Sequence, residues 1–334
     1  MQNKHVLIIA EAGVNHNGDI NLAYMLCDEA KKAGADVIKF QTYITEDIIT
    51  KKVEQAAYQQ KNTGIQESQY TMLKRLELSY DDFNKIKKYC DEIGIVFAST
   101  ADTHKDLDEL ENIGIPFIKI GSGDIGNVQY LRYCGSKEMP VILSTGMSSL
   151  ADIDISLQAL REGGATDITL LHCTTSYPCE FENVNLNAMN TLHEAFKLPV
   201  GYSDHTLGNT VAIAAVAMGA EVIEKHFTLD KNMEGPDHRA SSNPKEFAEM
   251  VREIRNIEIA MGNGKKEATK VEKEISKVVL KRIVAKTPIK EGQTITEENI
   301  CVKRNDAGLL CNKWDIVVGT KARKNYEVDE GIEL

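Results

Sequence analysis

The stretch GYSDHTLGNTVAIAAVAMGAEVIEKH, residues 201–226, decides how this chain is organised. Pro199-Val200-Gly201-Tyr202 is an apolar run that ends in the polar triplet Ser203-Asp204-His205. Small residues from Ala212 to Gly219 suit a returning helix, and Val222-Ile223 leads into Glu224-Lys225-His226. Strand, helix and strand joined by one crossover put two parallel neighbours side by side. His205 and His226 then stand at the same end of adjacent strands, with Asp204 and Glu224 close by. Two imidazoles so placed can hold a divalent metal ion over a pocket. They can equally cap their strands by hydrogen bonding, and the spacing alone leaves both readings open.

Outward from this unit, the same pattern recurs. Val6 to Ala10 is a continuous β-type run of the kind covered on both faces. It ends in Glu11 and a polar loop through Gly13, Asn15, His16, Asn17 and Gly18. Asp19 is a good cap for the helix that follows, and Gly34 closes it. Asp36 to Thr42 is a second strand, which puts Lys39 and Gln41 on one side. Further strands are predicted over 94–99, 116–120, 140–143 and 168–171, each followed by polar residues, and the opening stretch supplies the seventh and eighth. A last helix begins at Asn243-Pro244-Lys245-Glu246, with cap, N1 proline and N3 glutamate in place. Its buried stripe is Phe247, Met250, Val251, Ile254 and Ile257.

Eight strands alternating with helices over residues 1–262 point to a (β/α)8 TIM barrel, whose usual length is about 250 residues. The main competitor is an open doubly wound sheet, which would usually carry a GxGxxG turn after its first strand. No such turn occurs here. The polar clusters gather at carboxyl strand ends, where barrel enzymes keep their active sites. Residues 45–76 are too long for an ordinary connection and read as a lid or as a surface excursion. After Met261 the composition changes: residues 263–277 look like a linker, and 278–334 read as a small β-rich module with short runs at 278–280, 282–285, 294–295 and 316–319.

A net charge of −11 argues against nucleic acid or an anionic membrane as the main partner. Seven scattered cysteines without a CxxC pair suit a reducing compartment, and no signal-like segment is evident, so the expected location is cytoplasmic. The cations at strand ends are Lys39 and Lys119, and the hydroxyls are Ser122, Ser144, Thr175 and Ser203. Together they could hold a phosphate or a phosphorylated carboxylate, with glycines 121, 123 and 146 opening backbone N–H groups to it. Glu11, Asp204, Glu224 and Asp237 are spare carboxylates for sugar binding or acid–base work. Cys173 reads as a small buried residue rather than a nucleophile.

Several ordered blocks carry a resemblance. They are Ile9 to Gly18, Lys39-Phe40-Gln41-Thr42, Lys119 to Gly123, Ser144-Thr145-Gly146-Met147, His172-Cys173-Thr174 with Tyr177-Pro178, Ser203-Asp204-His205-Thr206, Glu224 to Thr228, and Gly235-Pro236-Asp237-His238. In these blocks the chain resembles the sialic acid synthase family nearly end to end. The carboxyl-terminal module is similar to the antifreeze-like (SAF) domain of those enzymes, with Val302-Lys303-Arg304 in its functional segment. Thr175 stands where some members have asparagine, and Asn305 to Gly308 replaces the usual Pro-Gly turn.

The resemblance implies condensation of phosphoenolpyruvate with an open-chain N-acetylmannosamine-type sugar, giving a nonulosonic acid and phosphate. It implies that His205 and His226 ligate Mn2+ (or Mg2+ or Co2+), and that Lys39, Lys119, Ser122, Ser144, Thr175 and Ser203 hold phosphoenolpyruvate. Glu11, Gln41, Tyr177 and Asp237 would face the sugar, and Arg304 would reach its acyl group from the other subunit of a domain-swapped homodimer. Residues 12–14, Tyr58-Gln59 and Asn62-Thr63-Gly64 are closer to the legionaminate branch. The expected acceptor is therefore 2,4-diacetamido-2,4,6-trideoxymannose, with N-acetylmannosamine second and the pseudaminate precursor a distant third. A barrel that binds such ligands without catalysis is the alternative from another class.

Overall fold

The structure is a computed structural model that describes residues 5–55, 60 and 66–334. The chain divides into two compact units, Met1–Asn263 and Gly264–Leu334.

In the first unit, eight parallel strands close into a barrel in chain order. They are β1 (Leu7–Gly13), β2 (Val37–Thr42), β3 (Val96–Ala101), β4 (Ile118–Ile120), β5 (Val141–Ser144), β6 (Ile168–Cys173), β7 (Val200–Asp204) and β8 (Val222–His226). β1 closes the ring by pairing with both β2 and β8. The expected barrel is found, and the open sheet is excluded. Several strands run further into their polar ends than the apolar runs suggest. β8 extends to His226 because that residue pairs with Glu11 in the β1 ladder, and β7 reaches Asp204 because it pairs with Lys225.

Strand side chains alternate between two cores, as a pleated barrel requires. Ile8, Ile38, Phe40, Tyr202 and Ile223 pack outward against the helices, while Ile9, Val37, Leu171 and Val222 join Ala98, Phe117 and Ile142 in a separate cluster. That second cluster plugs the barrel, so polar residues at the carboxyl ends are left to form a mouth. The last helix, Pro244–Met261, starts at an Asn243 cap with a reciprocal Glu246 contact, as its sequence predicts. Between Val128–Gly135 and Leu150–Gly163 the helices touch through glycine. A Cβ on Gly135 would lie 2.1 Å from the Leu160 carbonyl oxygen, and one on Gly163 would lie 2.1 Å from that of Arg132.

Among its described residues the 45–76 excursion includes the short helices Thr45–Ile48 and Gln69–Leu76, and a bridge joins Glu54 to Ser68. Met72 and Leu76 pack with Val14 and Tyr43 in a small cluster of their own. The Tyr58-Gln59 and Asn62-Thr63-Gly64 segments lie outside the described residues.

In the second unit, β9 (Lys281–Ala285) pairs antiparallel with β10 (Ile300–Arg304). Ile283, Ala285, Ile289, Ile295, Ile300, Val317, Ala322, Tyr326 and Ile332 form its core. Two expectations are corrected here. Residues 270–279, read largely as linker and then as a β run, are an α-helix capped by Thr269 and Glu272. Its charges at Lys270, Glu272, Lys273, Glu274 and Lys277 had masked an apolar stripe. Trp314–Val317 is helical rather than extended, the chain turning there to bury Val317. Among the described residues no helix is long and apolar enough to cross a membrane.

Candidate active site

The carboxyl ends of the strands enclose a cavity of about 310 Å³. Glu11, Lys39, Gln41, Lys119, Ser122, Ser144, Thr175, Tyr177, Ser203, His205, His226 and Asp237 all line it. Thus the barrel residues picked from sequence converge on one mouth. Arg304 is not among the lining residues; it is exposed at the end of β10 in the second unit. The sequence reading missed Asp102, Thr100 and Met147, together with Gln69, Met72 and Leu73 from the 45–76 excursion. Asp102 directly follows β3, but the strand predicted over 94–99 stops short of it.

The floor of the cavity is a charge cage. Lys39 contacts the Glu11 carboxylate and lies 3.6 Å from Glu224 Oε2. Lys119 Nζ lies 3.5 Å from Glu224 Oε1 and donates to Ser144 Oγ at 2.8 Å. Lys39 also donates to Thr100 Oγ1 at 3.1 Å, and Ser203 Oγ donates to Glu224 Oε1 at 3.1 Å. Both lysine side chains are only 3 % exposed. Burial pulls the Lys119 ammonium down from its ordinary range despite Glu224. Burial would raise the Glu224 carboxyl, yet Lys119 and Lys39 outweigh it and hold the acid well below the usual range. Glu11 goes the other way: desolvation pushes it up to about 7 against the pull of Lys39, with Glu224 adding repulsion. Two carboxyls in one dry site are thereby split, one a firm anion and one able to hold a proton at neutral pH.

Beside the cage, Ser122 Oγ accepts the Gly146 N–H at 2.9 Å and lies 3.2 Å from Cys173 Sγ. A Cβ on Gly146 would sit 2.4 Å from Thr175 Oγ1 and 2.8 Å from Ser122 Oγ, so glycine keeps this pocket of hydroxyls open. Burial pushes the Cys173 thiol up, in keeping with a packed residue rather than a nucleophile. Gln41 Nε2 donates to Glu11 Oε1 at 3.3 Å at the upper rim. Asp237, on the loop after β8, is pushed up to about 6 by burial.

His205 and His226 have ring centroids 5.4 Å apart, and the Tyr177 ring lies tilted against His205 with centroids 4.2 Å apart. Whether these rings fit a divalent ion is tested by their nitrogens. His205 Nδ1 donates to the Thr174 carbonyl oxygen at 2.7 Å, which leaves Nε2 as a lone-pair donor. His226 Nδ1 is buried without a hydrogen-bond partner. Burial holds both rings neutral; His226, further lowered by His205, falls to about 3. Neutral imidazoles are what a metal requires, and in His205 the second nitrogen is also fixed by its hydrogen bond. Among the described residues no third His, Cys, Asp or Glu joins these two nitrogen ligands. The donor set fits a divalent first-row ion that takes its other ligands from water or substrate.

Fold and site define a (β/α)8 barrel with an anion cage and an imidazole pair at its catalytic rim. The chain belongs to the NeuB family, matching it over residues 26–266. It is 46% identical to the N,N'-diacetyllegionaminic acid synthase of Campylobacter jejuni, over 98% of each chain. The enzyme of the same name from Legionella pneumophila is 42% identical, over 95% of this chain and 90% of that one. Among solved structures, N-acetylneuraminic acid synthetase from Leptospira borgpetersenii, in complex with citrate, superposes with a TM-score of 0.71 at 36% identity. That match covers 82% of this chain and 90% of the other.

Proposed function

We propose that this protein joins phosphoenolpyruvate to an open-chain 2-acetamido-mannose-type sugar, releasing phosphate and a nonulosonic acid, and that its acceptor is 2,4-diacetamido-2,4,6-trideoxymannose. The observation that carries this reading is the placement of Lys39 and Lys119 in the same cavity as His205 and His226. A cation cage and a metal-competent pair at one rim suit an enol phosphate meeting an aldehyde.

In this reading Lys39, Lys119, Ser122, Ser144, Thr175 and Ser203 bind the phosphate and carboxylate by point charge and hydroxyl donation. Glu11, Gln41, Tyr177 and Asp237 bind and orient the extended sugar. When bound by His205 and His226, Mn2+ or a similar ion supplies Lewis-acid polarisation of the aldehyde oxygen. The phosphoenolpyruvate methylene carbon forms a bond to the aldehyde carbon, and the aldehyde oxygen takes a proton to become a hydroxyl. Water adds at the former enol carbon, and the bond from that carbon to the phosphate oxygen breaks. Glu11, pushed up to about 7, and Asp237, pushed up to about 6, are the groups able to hold the moving protons near neutral pH.

Residues 278–334 are read as an antifreeze-like module whose Arg304 serves the acceptor site of a second subunit in a domain-swapped homodimer. Two features support association: Arg304 is exposed on β10, and Val271, Ile275 and Val278 form an exposed apolar stripe on the helix Lys270–Val279. Seven free cysteines favour a cytoplasmic location.

Phosphate release is measured with phosphoenolpyruvate, Mn2+ and each of two sugars. Turnover favouring the 2,4-diacetamido sugar over N-acetylmannosamine is expected. A preference for N-acetylmannosamine would instead make this an N-acetylneuraminate synthase. Tight phosphoenolpyruvate binding without release from either sugar would reduce the chain to a binding barrel.

A further inference from the structure

The alternation of the last two strands leaves two charged residues out of the cavity. On β7 and its end, Ser203 and His205 line the cavity and Asp204 between them does not. On β8, Glu224 and His226 line it and Lys225 does not. Asp204 and Lys225 face each other in the ladder, one position before each histidine. Asp204 Oδ2 accepts from Lys225 Nζ at 2.5 Å. Asp204 Oδ1 accepts from the Thr206 N–H at 2.9 Å and from its hydroxyl at 2.8 Å. Lys225 Nζ also donates to the Thr206 carbonyl oxygen at 2.9 Å. His205 therefore sits between two residues that are bonded to each other and to the neighbour of His226. Asp204 and Thr206 are 1 % exposed and Lys225 is 3 % exposed.

We propose that Asp204, Thr206 and Lys225 are positioning residues that fix the separation of the His205 and His226 rings and so set divalent-ion affinity. The inference rests on the reading that these two histidines hold the ion. Stripping two charges of water offsets most of their attraction, so a buried ion pair adds little net stability over an apolar pair. What this pair supplies is direction, because four hydrogen bonds fix how the two strand ends lie. His226 needs such an outside constraint, since its Nδ1 has no hydrogen-bond partner to orient the ring. Contacts behind metal ligands typically change affinity by about 10- to 100-fold when removed.

The test uses the full-length protein and Mn2+ titration by calorimetry. Removing one charge alone would strand the other, so Asp204→Asn is combined with Lys225→Met, and folding is checked by circular dichroism. The expected result is Mn2+ binding weakened by about 10-fold or more, with phosphoenolpyruvate affinity of the metal-free protein held within about twofold. Thr206→Val should weaken Mn2+ binding in the same sense, and Thr206→Ser, which keeps the hydroxyl, should restore it. If the parent binds Mn2+ and the folded double variant and Thr206→Val bind it equally well, the clamp is overturned while the metal reading stands. If the parent takes up no Mn2+, the metal reading falls and the clamp with it.

Discussion

Glu224 Oε1 lies 3.5 Å from Lys119 Nζ, and on the other side of the same carboxylate Oε2 lies 3.6 Å from Lys39 Nζ. One anion thus serves both lysines that the cage would turn toward an incoming enol phosphate. With Glu224→Gln, Lys119 loses its neighbouring carboxylate and Lys39 is left with Glu11 alone in a buried site. Breaking a buried pair from one side costs about 3–5 kcal/mol, which for a barrel of this size lowers Tm by on the order of 10 °C. Phosphoenolpyruvate then replaces the missing charge, so it should raise Tm more in the variant than in the parent. Scanning fluorimetry with and without phosphoenolpyruvate measures both. Equal ligand shifts in the two proteins would show that Glu224 does not compensate the lysines.

Asp102 gives a pH prediction. Desolvation, reinforced by Asp124 and Asp106 and opposed by Lys39, pushes its carboxyl from 3.8 to about 7. A raised folded-state value means the native protein keeps a proton that the unfolded chain releases. Below about 4 both states are protonated and stability is unaffected. Between about 4 and 7 stability falls as pH rises, and above 7 the full penalty applies, up to about 4 kcal/mol. Asp102→Asn removes this penalty. Its Tm should match the parent's near pH 4 and exceed it by several degrees at pH 8. A difference that does not change with pH would refute the assignment.

The helix contact at Gly163 gives a packing prediction. Gly163→Ala places its methyl group 2.1 Å from the Arg132 carbonyl oxygen, which is backbone and cannot swing away. The helices Val128–Gly135 and Leu150–Gly163 must part, and overpacking of this kind costs typically about 1–3 kcal/mol. Urea denaturation should show a lower midpoint with the slope unchanged. An unaltered midpoint would mean that the helices can separate freely.

The barrel was legible because each of its strands is an apolar run ending in chemistry, a pattern that survives without any contact information. Lys39, Lys119 and the two histidines followed from that pattern and from the family blocks. What stayed hidden depends on distance in space. Glu224 read as a spare carboxylate because nothing in the sequence shows that it lies between two lysines from other strands. Asp204 read as a spare carboxylate until alternation turned it, with Lys225, out of the cavity. The helix Lys270–Val279 was read as linker and β run because its charges dominated the composition, while Val271, Ile275 and Val278 keep helical spacing among them. Gln69–Leu76 was seen as part of an excursion, and only folding brings its Met72 and Leu73 to the cavity wall.

Gly146 connects the anion cage to the fold most directly. Its N–H donates to Ser122 Oγ, and its missing side chain leaves room between Ser122, Thr175 and Cys173. Its φ is not in the left-handed region, so alanine meets no backbone strain there. Gly146→Ala instead fills the hydroxyl pocket, with the new methyl group 2.4 Å from Thr175 Oγ1 and 3.0 Å from Cys173 Sγ. The hydroxyls must turn away from any bound phosphate or carboxylate. The KM for phosphoenolpyruvate should rise at least about tenfold, equivalent to roughly 1.4 kcal/mol. The KM for the sugar should change little, because Gln41, Tyr177 and Asp237 are untouched. Steady-state kinetics with each substrate varied in turn separates the two. An equal rise in both constants would mean that Gly146 shapes the whole mouth rather than the anion pocket.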